Sequence, residues 1–269
     1  MKYKMIACDL DGTLMGADCH ISAENNSAIS ELNKMGVHFV PCTGRTLSEV
    51  KEVYDNPDVR YIIYSTGAGI LDKQTGEIIK NGLPDEVKEK ILGILSSYDV
   101  FPFIHANGNC YTDKRLKGRE KEYKLNDTLC DIADTIAIPI DDFERNFMEM
   151  EVEYISVFFK NTGDHKAFLG RLLPDERIVT AEPWPLNYEI FYAKAGKDKA
   201  IKNLADMLGI DVSEVISIGD SNNDISALKT AGLGIAVSNG SDEIKEIADV
   251  IGCSNDGHIA KYVLERYFM

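Results

Sequence analysis

Short apolar runs that end in polar residues alternate with helix-period stretches at both ends of this 269-residue chain, and that alternation constrains the fold most. "YKMIAC" reads as a buried strand closed by Asp9. "SAENNSAISELNKMG" follows as a helix, with Ser22 as N-cap, Ala28, Ile29 and Leu32 facing inward, and Gly36 as the stop. "VHFVPC" is a second strand, closed by Thr43-Gly44-Arg45, and after the helical "LSEVKEVY" comes a third, "YIIYS". Strand and helix in strict alternation predict a parallel α/β sheet. The pattern resumes late, with "AGKDKAIKNLADMLG" as helix, "VISIG" as strand, "SNNDISALKTAG" as helix, "LGIAV" as strand and "SDEIKEIAD" as helix. Between them, "ILDKQTGEIIK" reads as a hairpin turning near Thr75-Gly76, and from about Asn81 to Asn187 strands and helices mix irregularly. The expected organisation is an α/β core of residues 1–81 and 188–269, interrupted by an α+β unit at 82–187.

In an open parallel sheet, ligands bind beyond the carboxyl ends of the strands. Three such ends carry polar groups: Asp9, Thr43 and Asp220. In "CDLDGT", Asp9 and Asp11 are two apart, so in an extended segment both carboxylates aim the same way. Each makes the other harder to ionise, and a metal ion, a shared proton or both must compensate. "GDSNND" sets Asp220, Asn223 and Asp224 in one turn beside Gly219. Oxygen donors from Asp9, Asp11 and Asp220 suit Mg²⁺, and no twelve-residue calcium loop is present in the sequence. Lys197 falls in the first turn of its helix, where the dipole disfavours a cation; such a lysine is either solvated, the common case, or aimed at an anion.

A net charge of −15 argues against nucleic acid or an anionic membrane surface as partner. It also means that an anionic substrate needs a local cation. The apolar part of "MKYKMIACDL" is too short for a signal peptide, and no apolar stretch approaches the roughly 20 residues of a membrane span. Six scattered cysteines without zinc-like spacing point to reduced thiols and a cytoplasmic protein.

The order Asp9-Leu-Asp11-Gly-Thr13, Thr43-Gly-Arg45, Lys197 and Gly219-Asp220-Ser-Asn-Asn223-Asp224 resembles the haloacid dehalogenase-like superfamily over nearly the whole chain. The insertion between the second motif and the lysine resembles its Cof-type sugar-phosphatase subgroup. The resemblance implies a Rossmann-like parallel-sheet core with an α+β cap, and Mg²⁺-dependent hydrolysis of a small phosphorylated metabolite, such as a sugar phosphate. By the same resemblance Asp9 is the nucleophile that forms an aspartyl-phosphate, and Asp11 is the acid and base. Asp9, the Asp11 backbone carbonyl and Asp220 hold the metal, with Asp224 behind them. Thr43 and Gly44 take phosphoryl oxygens, and Lys197 neutralises charge. Arg45, Asn223 and, in the C-terminal "SNDGHI", Asn255 are further substrate-binding candidates. Two positions depart from the family's pattern. Asp198 follows the motif lysine where glycine is common, which keeps Lys199 as a rival to Lys197, and Thr66-Gly67-Ala68 stands where Asn-Gly-Ala is common.

Two other functions compete. Phosphomannomutases resemble this architecture, and the cluster Lys114, Arg115, Lys117, Arg119 and Lys121 is the kind of basic cap segment that rebinding a bisphosphate requires. A phospho-ligand sensor without turnover is the other, although both aspartates are present. Trp184, the only tryptophan, is expected to pack against the cap sheet, with ring stacking on a substrate as the alternative. Oligomeric state is not legible.

Overall fold

The computed structural model describes residues 2–269. The chain forms two compact units, one from the segment up to Ile79 together with Gly196–Met269, the other from Lys80–Ala195.

In chain order the first unit opens with β1 (Met5–Cys8), α1 (Ala23–Lys34), β2 (His38–Pro41), α2 (Lys51–Asp55), β3 (Tyr61–Tyr64), β4 (Gly69–Asp72) and β5 (Ile78–Lys80). β1 and β2 run parallel, with Cys8 level with Pro41. The side chains of β1 alternate, Ile6 and Cys8 joining one apolar cluster and Met5 and Ala7 another, because both faces of the sheet are covered. α1 starts as expected, the Ser22 hydroxyl accepting from the Asn25 amide at 3.1 Å, and buries Ala28, Ile29 and Leu32. β3 departs from expectation. It pairs antiparallel with β4, and a parallel bridge, Cys42 to Ile63, joins it to the segment just after β2. The chain reverses at Ser65-Thr66-Gly67, all three at positive φ, into a β3–β4–β5 sheet of its own. Gly69 permits this fold-back, since a Cβ there would lie 2.1 Å from the Tyr64 ring.

The second unit contains α3 (Asp85–Leu95), β6 (Val100–Ala106), β7 (Asn109–Asp113), α4 (Asp127–Asp131), β8 (Ile138–Ile140), α5 (Phe143–Glu149), β9 (Val152–Phe159), α6 (Thr162–Leu172), β10 (Ile178–Ala181) and β11 (Asn187–Tyr192). Its six-stranded sheet has the order β10-β11-β9-β6-β7-β8. Val87, Ile91, Phe147 and Phe168 cover one face with Ile155, Val157 and Phe159, while Tyr123, Leu125 and Leu129 cover Phe101, Phe103 and Phe158 on the other. Residues 188–195, expected in the core, lie in this unit, because β11 pairs antiparallel with both β9 and β10. Trp184, expected to pack against the cap sheet, is 42% exposed.

The chain then returns to the first unit with α7 (Lys197–Leu208), β12 (Val215–Gly219), α8 (Ile225–Thr230), β13 (Leu233–Ala236), α9 (Asp242–Ile247), β14 (Val250–Ile251) and α10 (Ile259–Tyr267). The completed parallel sheet reads β14-β13-β12-β1-β2. α10 packs with α1 on one face and α7 buries Ala200, Ile201 and Leu204 on the other. Among the described residues no helix is long and apolar enough to cross a membrane.

Candidate active site

Register brings the three polar strand ends together. The Asp9 amide donates to the Ile218 carbonyl at 3.0 Å, and the Cys42 amide donates to the Cys8 carbonyl at 2.8 Å. Asp220, Asp9 and Thr43 therefore leave three neighbouring parallel strands, β12, β1 and β2, side by side. Lys197 arrives from the first turn of α7. That turn approaches closely because Gly67 faces the Gly196 carbonyl, where a Cβ would come within 2.4 Å.

At the centre lies a buried ion-pair network. Lys197 Nζ is 2.6 Å from Asp9 Oδ1 and 2.5 Å from Asp224 Oδ1, and all three side chains are buried. Lys197 reaches Asp9; Lys199, two residues further along the helix, is not the lysine on these carboxylates. Asp224 Oδ2 accepts the Asp220 and Ser221 amides at 3.2 and 3.3 Å, so both of its oxygens hold protein donors. A Cβ on Gly219 would lie 2.4 Å from that of Asp224, so the approach needs glycine. Asp220 accepts from the Thr13 hydroxyl at 3.3 Å. Gly12, at φ +72°, leaves room for it, since a Cβ there would meet Asp220 Oδ2 at 2.7 Å.

Three carboxylates around one ammonium strain the electrostatics. Burial pushes the Asp9 carboxyl above the usual carboxylate range; Lys197 pulls against this, and Asp224 and Asp220 add to it. Burial likewise raises Asp220, with Asp224 contributing. Burial works against the Lys197 ammonium, yet Asp224 and Asp9 hold it well above its usual value, so the lysine stays charged. Asp9, Asp220 and Asp224 each offer an oxygen within 4.8 Å of the others, a cluster able to hold a metal ion. The carbonyls of the Asp9–Met15 loop are engaged at Asp9, Leu10, Gly12, Leu14 and Met15. Those of Asp11 and Thr13 receive no donor among the described residues, and that of Asp11 suits a further metal oxygen ligand.

Asp11 does not share the environment of Asp9. The strand stops at Cys8, Leu10 turns inward, and the Asp11 side chain is 55% exposed. Its carboxylate takes a two-pronged bond from Arg45, Nε to Oδ2 at 2.8 Å and Nη2 to Oδ1 at 2.5 Å. Arg45, expected on the substrate, is thus held by Asp11 and by the Glu49 carbonyl. Thr43 is fully buried and its Oγ1 accepts the Arg45 amide at 3.1 Å, which leaves the hydroxyl proton available. Thr66, in place of the expected Asn, sits beside Gly44, its Oγ1 3.5 Å from where a Gly44 Cβ would be. Asn223 is exposed, its Oδ1 taking the Ser221 hydroxyl. Asn255 is engaged within the protein, donating from Nδ2 to the Met15 carbonyl at 3.1 Å and from its amide to Asn239 Oδ1 at 2.8 Å. Sequence reasoning missed Asn239, which donates to the Gly12 carbonyl at 2.8 Å. The signal was there: it follows β13, as Asp9 follows β1.

A parallel sheet with an acidic cluster and a buried lysine at its strand ends defines a class, and comparison with known proteins names it. The profile of the haloacid dehalogenase-like hydrolases matches residues 6–263, and the chain belongs to that family. It is 30% identical to 5-amino-6-(5-phospho-D-ribitylamino)uracil phosphatase YwtE of Bacillus subtilis, over 98% of this chain and 97% of the relative. It is 28% identical to phosphatase YwpJ of the same organism, over 98% and 99%. Among solved structures, a haloacid dehalogenase-like hydrolase from B. subtilis superposes with TM-score 0.79 at 26% identity, covering 98% of this chain and 100% of the other.

Proposed function

We propose that the chain is a Mg²⁺-dependent phosphatase that hydrolyses a small phosphorylated metabolite through an aspartyl-phosphate on Asp9. The observation that carries this reading is the buried Lys197 bridging Asp9 and Asp224 next to Asp220. The relatives named as phosphatases match along almost their full length, and one acts on a phosphate carried by a ribityl chain. That supports a sugar or polyol phosphate as substrate class.

Lys197 holds Oδ1 of Asp9, and no protein donor among the described residues takes Oδ2. In the first step Asp9 Oδ2 bonds to phosphorus, the ester P–O bond breaks, and Asp11 gives its proton to the departing alkoxide. In the second, Asp11 removes a proton from water, the water oxygen bonds to phosphorus, and the bond to Asp9 breaks to release phosphate. Thr43, through its free hydroxyl proton, and the Gly44 amide orient the phosphoryl oxygens, and Arg45 holds the Asp11 carboxylate when it is charged. Mg²⁺, held by Asp9, Asp220 and the Asp11 carbonyl with Asp224 behind them, supplies the positive charge that phosphoryl transfer needs.

Four of the five basic residues that suggested a phosphotransferase are paired with acidic neighbours; among the described residues Lys117 is not. Lys114 bonds Asp141 at 3.0 Å, Arg115 bonds Asp113 at 2.6 Å, Arg119 bonds Glu122 at 2.9 Å and Lys121 bonds Asp127 at 2.6 Å. The test is phosphate release from a panel of sugar, polyol and nucleoside monophosphates, with and without Mg²⁺. Metal-dependent release, favouring a few compounds, is expected. Isomerisation of a hexose monophosphate primed by a bisphosphate would favour the mutase, and binding of esters without turnover would favour the sensor.

A further inference from the structure

We propose that Asn239 and Asn255 are positioning residues that pin the loop bearing Asp11, an inference that rests on the phosphatase reading above. Only two hydrogen bonds close the loop on itself, the Leu14 amide to the Asp9 carbonyl at 3.2 Å and the Met15 amide to the Leu10 carbonyl at 2.9 Å. Its middle, Asp11-Gly12-Thr13, has no regular partner, and Gly12 stands at φ +72°. The C-terminal loops supply what is missing. Asn239 Nδ2 donates to the Gly12 carbonyl at 2.8 Å, Asn255 Nδ2 donates to the Met15 carbonyl at 3.1 Å, and Asp256 Oδ1 accepts the Ala17 amide at 3.2 Å. The Asn255 amide donates to Asn239 Oδ1 at 2.8 Å, so the two asparagines form one chain of bonds.

The Gly12 carbonyl is one peptide away from the Asp11 carbonyl, which takes no donor among the described residues. On its other side Gly12 lies against Asp220 Oδ2. Fixing the Gly12 carbonyl fixes the Gly12–Thr13 peptide plane, and so restrains the adjoining Asp11–Gly12 plane that carries the Asp11 carbonyl. A third asparagine, Asn25, also donates to the loop, at the Leu14 carbonyl, but its Oδ1 takes the Ala260 amide. It is buried and ties α1 to α10, which is a packing role. Asn239 and Asn255 are solvent-accessible, so their bonds contribute little to folding. Catalysis is more sensitive, since a displacement of about 1 Å at reacting groups can cost roughly 100-fold.

The test compares wild type with Asn239→Ala, the isosteric Asn239→Asp, which cannot donate, and Asn255→Ala. Steady-state kinetics on a phosphomonoester accepted by the wild type is run beside calorimetric titration of the metal-free protein with Mg²⁺ alone. The expected result is a kcat about 10- to 100-fold lower with KM changed less than about threefold, as a positioning fault gives. The Mg²⁺ dissociation constant rises about tenfold, and the melting temperature moves by only a few degrees. Folded Asn239→Ala and Asn239→Asp with wild-type kcat and wild-type Mg²⁺ affinity would overturn the inference. A wild type that binds Mg²⁺ but releases no phosphate from any ester would sink the phosphatase reading instead, and the calorimetric arm would still decide the positioning role.

Discussion

Asp9 and Asp11, one residue apart, meet opposite surroundings, and the division of labour proposed for them rests on that. Asp9 sits in a buried network with Lys197, while Asp11 is largely exposed and held by Arg45. Replacing Lys197 with Met leaves Asp9 and Asp224 buried without their cation. Loss of one partner from such a pair costs about 3–5 kcal/mol. The metal-free Lys197→Met protein is therefore expected to unfold at clearly lower urea than wild type, and kcat is expected to fall at least 100-fold; unchanged denaturation midpoints would contradict the network's role. At this scale the sequence was informative where a residue's type restricts its role. The two aspartates were legible, whereas the sequence left Lys197 and Lys199 as rivals, and the coordinates place Lys197 on Asp9 and Asp224. Asn255 and Arg45, expected on the substrate, bond to the protein here, because amide and guanidinium groups bond to protein as readily as to substrate.

Among the elements, β1, β2 and β12 were legible because continuous apolar runs ending in polar residues fit a strand covered on both faces. β3 has the same pattern, yet the turn after it and Gly69 fold it into a hairpin. What separates the two outcomes is a close backbone approach that residue type alone does not reveal. β11 was assigned to the wrong unit at its boundary for a related reason, since "NYEIFY" reads equally well as a strand of either sheet. It also carries a titratable group whose consequence is measurable. Burial pushes the Glu189 carboxyl up to about 7, against an ordinary value near 4.5. Between those values the folded protein keeps a proton that the unfolded chain loses, so stability falls as pH rises through that window and levels off above it. The full shift corresponds to a loss of up to about 3 kcal/mol. Urea unfolding from pH 5 to pH 8 is expected to show this decline in wild type and a shallower one in Glu189→Gln; parallel profiles would contradict it.

For the molecule as a whole, charge frames the chemistry. A chain of net charge −15 that handles an anionic ester must present positive charge locally, and the two cations at the site, Lys197 and Arg45, are already paired with aspartates. The account therefore requires a metal. Removing divalent ions with a chelator is expected to reduce phosphate release at least 100-fold, and restoring Mg²⁺ is expected to recover it; full activity in chelator would contradict the proposed site. The most direct test of the central claim looks for the covalent intermediate itself. Wild type and Asp11→Asn are mixed with substrate and Mg²⁺, quenched in acid within a turnover, digested, and analysed by mass spectrometry for a phosphoryl group on the peptide containing Asp9. The account predicts a phosphorylated Asp9 peptide in both proteins that is absent from Asp9→Asn. Phosphate released in a burst from wild type with no phosphoryl group on that peptide would contradict it.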